Sequence, residues 1–200
     1  TVANLNFGTG STQYDSIGEQ HYHYAHVSQW HNQVQTPPHY TLPHPANNPI
    51  VQSHLFDEPL EQIYAVLIDL DIREVWNPVA DKIKVEHPDR VHRIGDEHIC
   101  IFENGTSINL ESFAKRFDDG RLLYGEVARH FQIFREFTSY FILEQSNSGV
   151  CLTIEVHLQG KPFWGWFLMP LARKKIADNL QKIFANLQHY LEALKVATVE

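Results

Sequence analysis

The stretch WFLMPLARKKIADNLQKIFANLQHYLEAL, residues 166–194, decides how this chain folds. Its apolar residues recur at steps of three and four: Ile176, Leu180, Ile183, Phe184, Leu187, Tyr190, Leu191 and Leu194. Such spacing sets them on one stripe of an α-helix, while Lys174, Lys175, Asp178, Lys182, Gln188 and Glu192 fall largely elsewhere. A helix this long needs a large apolar surface to lie against. The segments before it read as a sheet able to provide one. A long terminal helix held in a curved sheet can enclose a cavity, which points towards binding.

Strand-like segments stand at 82–86, 97–103, 107–117, 122–128, 133–145 and 150–159. Their connections carry turn residues: Pro88-Asp89, Asn104-Gly105, Asp118-Asp119-Gly120 and Ser146-Asn147-Ser148-Gly149. Short connections demand antiparallel neighbours, because a parallel crossover needs roughly a dozen residues or more. Ahead of them, 50–56 reads as a strand. Asp57 is the expected N-cap of a helix with Pro59 in its first turn, running through Ile63, Val66 and Leu67. A second short helix covers 72–76 and is closed by Asn77-Pro78. The order is strand, two short helices, six-strand meander, long helix. That makes an α+β chain whose curved antiparallel sheet has about seven strands.

Hydrophobic content of 43% and charged content of 20% over 200 residues suit one globular domain with an extra segment. A net charge of −8 and a pI near 5.9 lack the basic footprint of a general nucleic-acid binder. Cys100 and Cys151 lie in apolar strand patterns and read as buried free thiols of a reducing, cytoplasmic compartment. No apolar run approaches the roughly eighteen residues of a membrane span, and no signal peptide is visible. The chain opens at Thr1 and its only methionine is Met169. It therefore reads as processed or cut from a longer polypeptide, which leaves room for an upstream domain.

Residues 1–48 differ from the rest. They contain no Lys or Arg, are rich in histidine, and finish in the proline-dense run Thr36-Pro37-Pro38-His39-Tyr40-Thr41-Leu42-Pro43-His44-Pro45. Proline at that density favours extended chain, so 35–48 reads as a linker and 49–200 as the main domain. Residues 20–27 alternate like a strand that places His21 and His23 on one face, with His26 and His31 nearby. Imidazoles suit zinc, copper or nickel. Without cysteines and with few carboxylates beside them, these histidines read as solvent-exposed, and no metal or cofactor is expected.

The run Leu55-Phe56-Asp57-Glu58-Pro59 leads into Ile63-Tyr64-Ala65-Val66-Leu67-Ile68-Asp69 and then Arg73-Glu74-Val75-Trp76-Asn77-Pro78. Ile94-Gly95-Asp96-Glu97-His98 opens the third strand. With the element order, these runs resemble the helix-grip fold of the START and Bet v 1-like (SRPBCC) superfamily, which includes polyketide cyclase-type proteins. In that family an aspartate closes the first helix, a tryptophan sits in the second and a glycine leads into the third strand. The resemblance covers about residues 49–195. It implies a cavity between sheet and terminal helix, and members bind, transport, cyclise or regulate. The stretch from Tyr14 to Tyr24 resembles the tail of a nucleotide-cyclase-like domain preceding such a module.

Strand parity sorts the candidate site residues. Leu152, Ile154, Val156 and Leu158 share the face expected to meet the helix, opposite Thr153, Glu155 and His157. His98, Cys100 and Phe102 lie together, and Asn109, Glu111 and Phe113 oppose Ile108 and Leu110. Parity alone leaves open which faces are inside. The resemblance places a few polar groups within a mainly apolar cavity, and His98, Glu111, Tyr124 and Glu126 are the candidates. Trp76, Cys100, Leu180 and Phe184 are the expected walls, with Trp164, Trp166 and Phe167 at the mouth. The aromatic run Phe163-Trp164-Gly165-Trp166-Phe167 stands close to Arg173-Lys174-Lys175. Rings beside cations suit transient contact with a bilayer over 163–175, a gate for the ligand, or a cap on the core.

The reading is a binding domain for a hydrophobic or amphipathic small molecule, lipid-like or aromatic. No nucleophile motif, phosphate loop or nicotinamide fingerprint is present, so catalysis is not favoured. One alternative is a cyclase- or dehydratase-like enzyme using His98 and Glu111 as acid and base. The other is an accessory module of a larger signalling protein.

Overall fold

Among the described residues, alternation and turn chemistry give seven strands: β1 (Ile50–Phe56), β2 (Lys82–Val85), β3 (Glu97–Ile101), β4 (Ser107–Arg116), β5 (Leu122–Arg129), β6 (Phe134–Ser146) and β7 (Gly149–Gly160). The structure is a computed structural model describing residues 48–79, 82–85, 97–102 and 105–197, with backbone alone at positions 85, 97, 164–166, 196 and 197. The expected strand at 20–27, nearly all of the 35–48 linker, the amino-terminal histidines, Pro88-Asp89, Ile94-Gly95-Asp96 and the indoles of Trp164 and Trp166 lie outside the described residues.

The strands form one antiparallel sheet in the order β1-β7-β6-β5-β4-β3-β2. From β2 onward each strand pairs with the next in sequence. β1 alone breaks the order and pairs with β7, Ile50 opposite Val156 and Phe56 opposite Val150. Two short helices, α1 (Leu60–Ile68) and α2 (Arg73–Trp76), lead from that edge towards β2 at the other. The terminal helix α3 (Trp164–Ala197) follows β7. This is the helix-grip arrangement that the resemblance implies. No helix among the described residues is long and apolar enough to cross a membrane.

Local chemistry sets the boundaries. Gly120 adopts φ +86° in the β4–β5 turn, and its N–H bonds the Phe117 carbonyl at 3.0 Å. Gly149 adopts φ +139° in the tight β6–β7 hairpin, and a Cβ there would run into the Phe56 carbonyl. Only glycine lets the hairpin and the end of β1 meet so closely. Asn77 closes α2, its N–H bonding the Arg73 carbonyl at 2.9 Å and its side chain accepting from Val79 N–H at 3.1 Å. Asp57 is not the cap of α1, however. Pro59 holds that position with no side-chain cap, its carbonyl accepting from Gln62 and Ile63. The terminal helix also begins before Trp166 and carries Pro170 inside it, at the cost of one backbone hydrogen bond.

The stripe and the sheet meet as their spacing requires. Leu152, Ile154, Val156 and Leu158 join one core cluster with Leu180, Ile183, Phe184, Leu187, Tyr190 and Leu191, together with Ile63 and Leu67 of α1. Polar contacts fasten α3 to β1: Gln52 Nε2 donates to the Ala177 carbonyl at 3.0 Å, and His54 stacks on Phe184 at 5.6 Å. Near the carboxyl end of the helix, Lys195 Nζ lies 2.8 Å from the buried Glu58.

Candidate functional site

The inner face of β3, β4 and β5, the side that faces α3, carries one polar group set in apolar surroundings. Register puts Ser112 opposite Glu126 and His98 opposite Leu110. Because residues two apart share a face, Tyr124 and Glu126 project together. Helix α2 then adds Arg73, fully buried, from outside the sheet.

Arg73 Nη1 donates to Glu126 Oε1. Its Nη2 donates to the Leu67 carbonyl at 2.9 Å and to Tyr124 Oη at 3.0 Å. Tyr124 in turn donates to Glu126 Oε1 at 2.7 Å. Ser112 Oγ lies 3.2 Å from both Tyr124 Oη and His98 Nδ1, and His98 Nε2 is 3.4 Å from Glu126 Oε1. The Arg73 guanidinium also stands 5.5 Å from the Trp76 ring centre and 5.3 Å from that of Tyr124.

Charge pairing decides the protonation states. Burial opposes the charge on Arg73, but the Glu126 carboxylate outweighs it and holds the guanidinium pKa above its ordinary value. Burial likewise opposes charge on Glu126, yet Arg73, the neighbouring His98 and the bond from Tyr124 hold its carboxyl well below the usual range. Burial raises the Tyr124 phenol. Burial first, and the Glu126 charge second, push the Cys100 thiol up to about 12. Three buried nitrogens of this group, Arg73 Nε, Trp76 Nε1 and His98 Nε2, make no hydrogen bond among the described residues.

The Cys100 shift has a measurable consequence. An unfolded thiol ionises near pH 8.5, whereas folded Cys100 keeps its proton to much higher pH. The folded state then binds more protons, so stability falls as pH rises above the unfolded value. Between pH 8 and pH 10 the loss should be about 1–2 kcal/mol. Urea denaturation checks this, because Cys100→Ala should flatten that part of the slope.

Of the residues expected at the site, Trp76, His98, Tyr124 and Glu126 come together, with Cys100 buried nearby. Leu180 and Phe184 lie in the main core cluster. Glu111 goes elsewhere: it shares the outer face with Phe113 and bonds the exposed Arg129 at 3.0 Å. An acid–base couple of His98 and Glu111 acting on one ligand is therefore ruled out by face, and the carboxylate beside His98 is Glu126. Arg73 and Ser112 are site members that sequence reasoning missed. The signal for Ser112 was its parity with Ile108 and Leu110. For Arg73 it was only a cation three residues before a tryptophan.

Apolar residues flank the polar group on two sides. Cys100, Ile108, Leu110 and Ala128 form a cluster separate from the main core, and the half-buried Phe131 and Phe137 touch both. The first half of α3 meets the core through half-buried Met169, Ala172 and Ile176. Its other side is apolar too: Phe163, just before the helix, is 90% exposed, Phe167 77% and Leu171 61%.

No protein-family model matches this chain, and no curated protein matches it in sequence. Solved structures do match it in three dimensions. A START superfamily protein from Mycobacterium smegmatis aligns over 73% of this chain and 98% of its own, with 14% identity and a TM-score of 0.54. A STAR-related lipid transfer protein from Xanthomonas axonopodis aligns over 71% and 84%, at 13% identity and a TM-score of 0.55. A di-domain ARO/CYC protein of the steffimycin biosynthetic pathway aligns over 74% and 52%, at 12% identity and 0.52. At such identities the likeness is one of fold.

Proposed function

With the START and Bet v 1-like helix-grip fold as premise, we propose that this chain binds a hydrophobic or amphipathic small molecule between the inner face of its sheet and the first half of α3. The observation that carries the reading is the buried group around Glu126, whose donors outnumber its acceptors. Arg73 Nε and Trp76 Nε1 can only donate, and both are buried without a partner among the described residues. Leaving such groups unpaired is costly. A ligand oxygen, as carbonyl or hydroxyl, would satisfy them and fix orientation. The half-buried Met169, Ala172, Ile176, Phe131 and Phe137 offer the apolar surface for the rest of the molecule. Net charge within the group is already balanced between Arg73 and Glu126. That favours a neutral polar head over a carboxylate or an amine.

Native mass spectrometry of the gently extracted protein tests this. A co-purifying lipid-like or aromatic mass is expected, and Ser112→Ala with His98→Ala should weaken its retention about tenfold, the worth of about one hydrogen bond. A consistently empty protein, or retention unchanged in both variants, would count against the reading.

We further infer that ligand exchange takes place at a lipid surface. Residues 161–177 carry four cations, Lys161, Arg173, Lys174 and Lys175, and no acidic residue, in a chain of net charge −8. The exposed Phe163, Phe167 and Leu171 recur at steps of four beside them. Vesicles containing anionic lipid should retain the protein, neutral vesicles much less. Phe163→Asp with Leu171→Asp should abolish retention, and equal sedimentation with both vesicle types would sink the idea.

A further inference from the structure

Three members of the inner-face group come from three neighbouring strands: His98 from β3, Ser112 from β4 and Glu126 from β5. Ser112 Oγ lies 3.2 Å from His98 Nδ1, and the other ring nitrogen, Nε2, stands 3.4 Å from Glu126 Oε1. A hydroxyl, an imidazole and a carboxylate in that sequence are the parts of a nucleophile, its base and the group that orients the base. The carboxylate favours the tautomer with hydrogen on Nε2, which leaves the Nδ1 lone pair for the Ser112 hydroxyl. The His98–Glu126 contact is looser than a hydrogen bond, as such contacts often are before a substrate arrives. No local motif announces this set, because only the register of the three strands assembles it.

Exposure separates the members. His98 and Glu126 are buried, and so are Arg73, Trp76 and Tyr124. Ser112 alone of the group is half-buried, although its face of the sheet turns inward. Its neighbours on that face are small: Ala114 is next along β4, and Ser139 stands opposite Glu126 on β6. A molecule entering between the sheet and α3 therefore meets the Ser112 hydroxyl with its base sealed behind it.

We propose that Ser112 is a nucleophile towards uncharged carboxylic esters bearing an apolar chain, so that the bound molecule is also a substrate. The inference rests on the ligand reading above and deepens it. Ser112 Oγ attacks the ester carbonyl carbon while its proton passes to His98 Nδ1. The carbonyl electron pair moves to oxygen and returns as the bond to the alcohol oxygen breaks, and the alcohol leaves with the proton from His98. Water then attacks the acyl-serine and gives its proton to His98. The carboxylic acid departs as that proton returns to Ser112 Oγ. Charge stays matched throughout: Arg73 offsets Glu126 at rest, and the imidazolium offsets the oxyanion when both form. Arg73 Nε and Trp76 Nε1, buried without a partner among the described residues, are the donors available to that oxygen.

The test treats the full chain with an alkyl fluorophosphonate, which a reactive serine attacks with loss of fluoride. The intact mass should rise by one phosphonyl group, and peptide mass spectrometry should place that group on Ser112. With p-nitrophenyl octanoate, nitrophenol should appear in a burst of about one equivalent before a slower steady rate. Ser112→Ala should abolish both the labelling and the burst. His98→Gln should lower kcat by about a hundredfold or more, the usual worth of a general base. An unlabelled native chain, a label that persists in Ser112→Ala, or a burst unchanged in His98→Gln would overturn the proposal. If a ligand co-purifies while the fluorophosphonate leaves Ser112 untouched, the binding reading stands and the catalytic one alone falls.

Discussion

Arg73→Met should lower the stability of this protein by about 3–5 kcal/mol, the cost of leaving one member of a buried ion pair without its partner. Glu126 is the group left behind, buried beneath α2 with Tyr124 and His98 its remaining polar neighbours. The pH dependence makes the prediction sharper. In the native chain the Glu126 carboxyl lies below its usual range, so its contribution is intact above the unfolded value of about 4.5 and is lost as pH falls towards the depressed folded value. Without Arg73, burial dominates and the folded carboxyl binds its proton more readily than the unfolded one. Stability of the variant should then rise as pH falls from 7 towards 5, while the native chain stays flat over that range. Urea denaturation at the two pH values reads the difference. The double variant Arg73→Met with Glu126→Leu should recover most of the loss, because a well-packed apolar pair avoids desolvating two charges. If Arg73→Met costs less than the Ser112→Ala control, the ion pair is not what holds α2 against the sheet.

Leu187→Ala is the second large effect, at about 2–5 kcal/mol for a fully buried leucine. Leu187 stands mid-stripe, and its neighbours along the helix, Phe184 and Leu191, are buried against the same sheet face. Removing its side chain opens a cavity where helix and sheet meet, and close-packed surroundings relax only partly into such a space. Leu187→Met should cost less than about 1.5 kcal/mol, since volume is nearly kept. Gln188→Ala, one residue along on a more exposed face, should shift stability by no more than about 0.5 kcal/mol. Chemical denaturation of the three variants orders them. Equal losses for Leu187→Ala and Gln188→Ala would mean that α3 is not gripped along this stripe.

What the residues revealed beforehand followed from repeating physical constraints. The α3 stripe, the turns at Gly120 and Gly149, and the parity of β7 all come from periodicity or φ requirements that a sequence displays directly. The site was only half legible. The resemblance, rather than parity, pointed to Tyr124 and Glu126, and in the structure they share the inner face with the buried Leu122. Glu111 was misplaced because parity links it to Asn109 and Phe113 without saying which side is inside, and an aromatic at Phe113 reads equally well on either face. Both faces turn out to be buried at β5, so hydrophobicity could not discriminate. Arg73 was hidden for a different reason. A charged residue in a four-residue helix reads as solvated, and only the tertiary position of Glu126 reveals that it is paired.

The pairing of the first strand with the last has a consequence in time. β2 to β7 are joined by neighbouring hairpins, so each strand finds its partner soon after it is made. β1 cannot. Its hydrogen-bonding edge and the inward side chains of Ile50 and Phe56 must wait for a partner synthesised about a hundred residues later, at a growth rate of roughly 5–20 residues per second. Closing so long a loop is an entropic expense met only when Val150 to Val156 emerge, and α3 follows directly behind them. The sheet is thus closed last, by the oldest strand and the youngest helix arriving together.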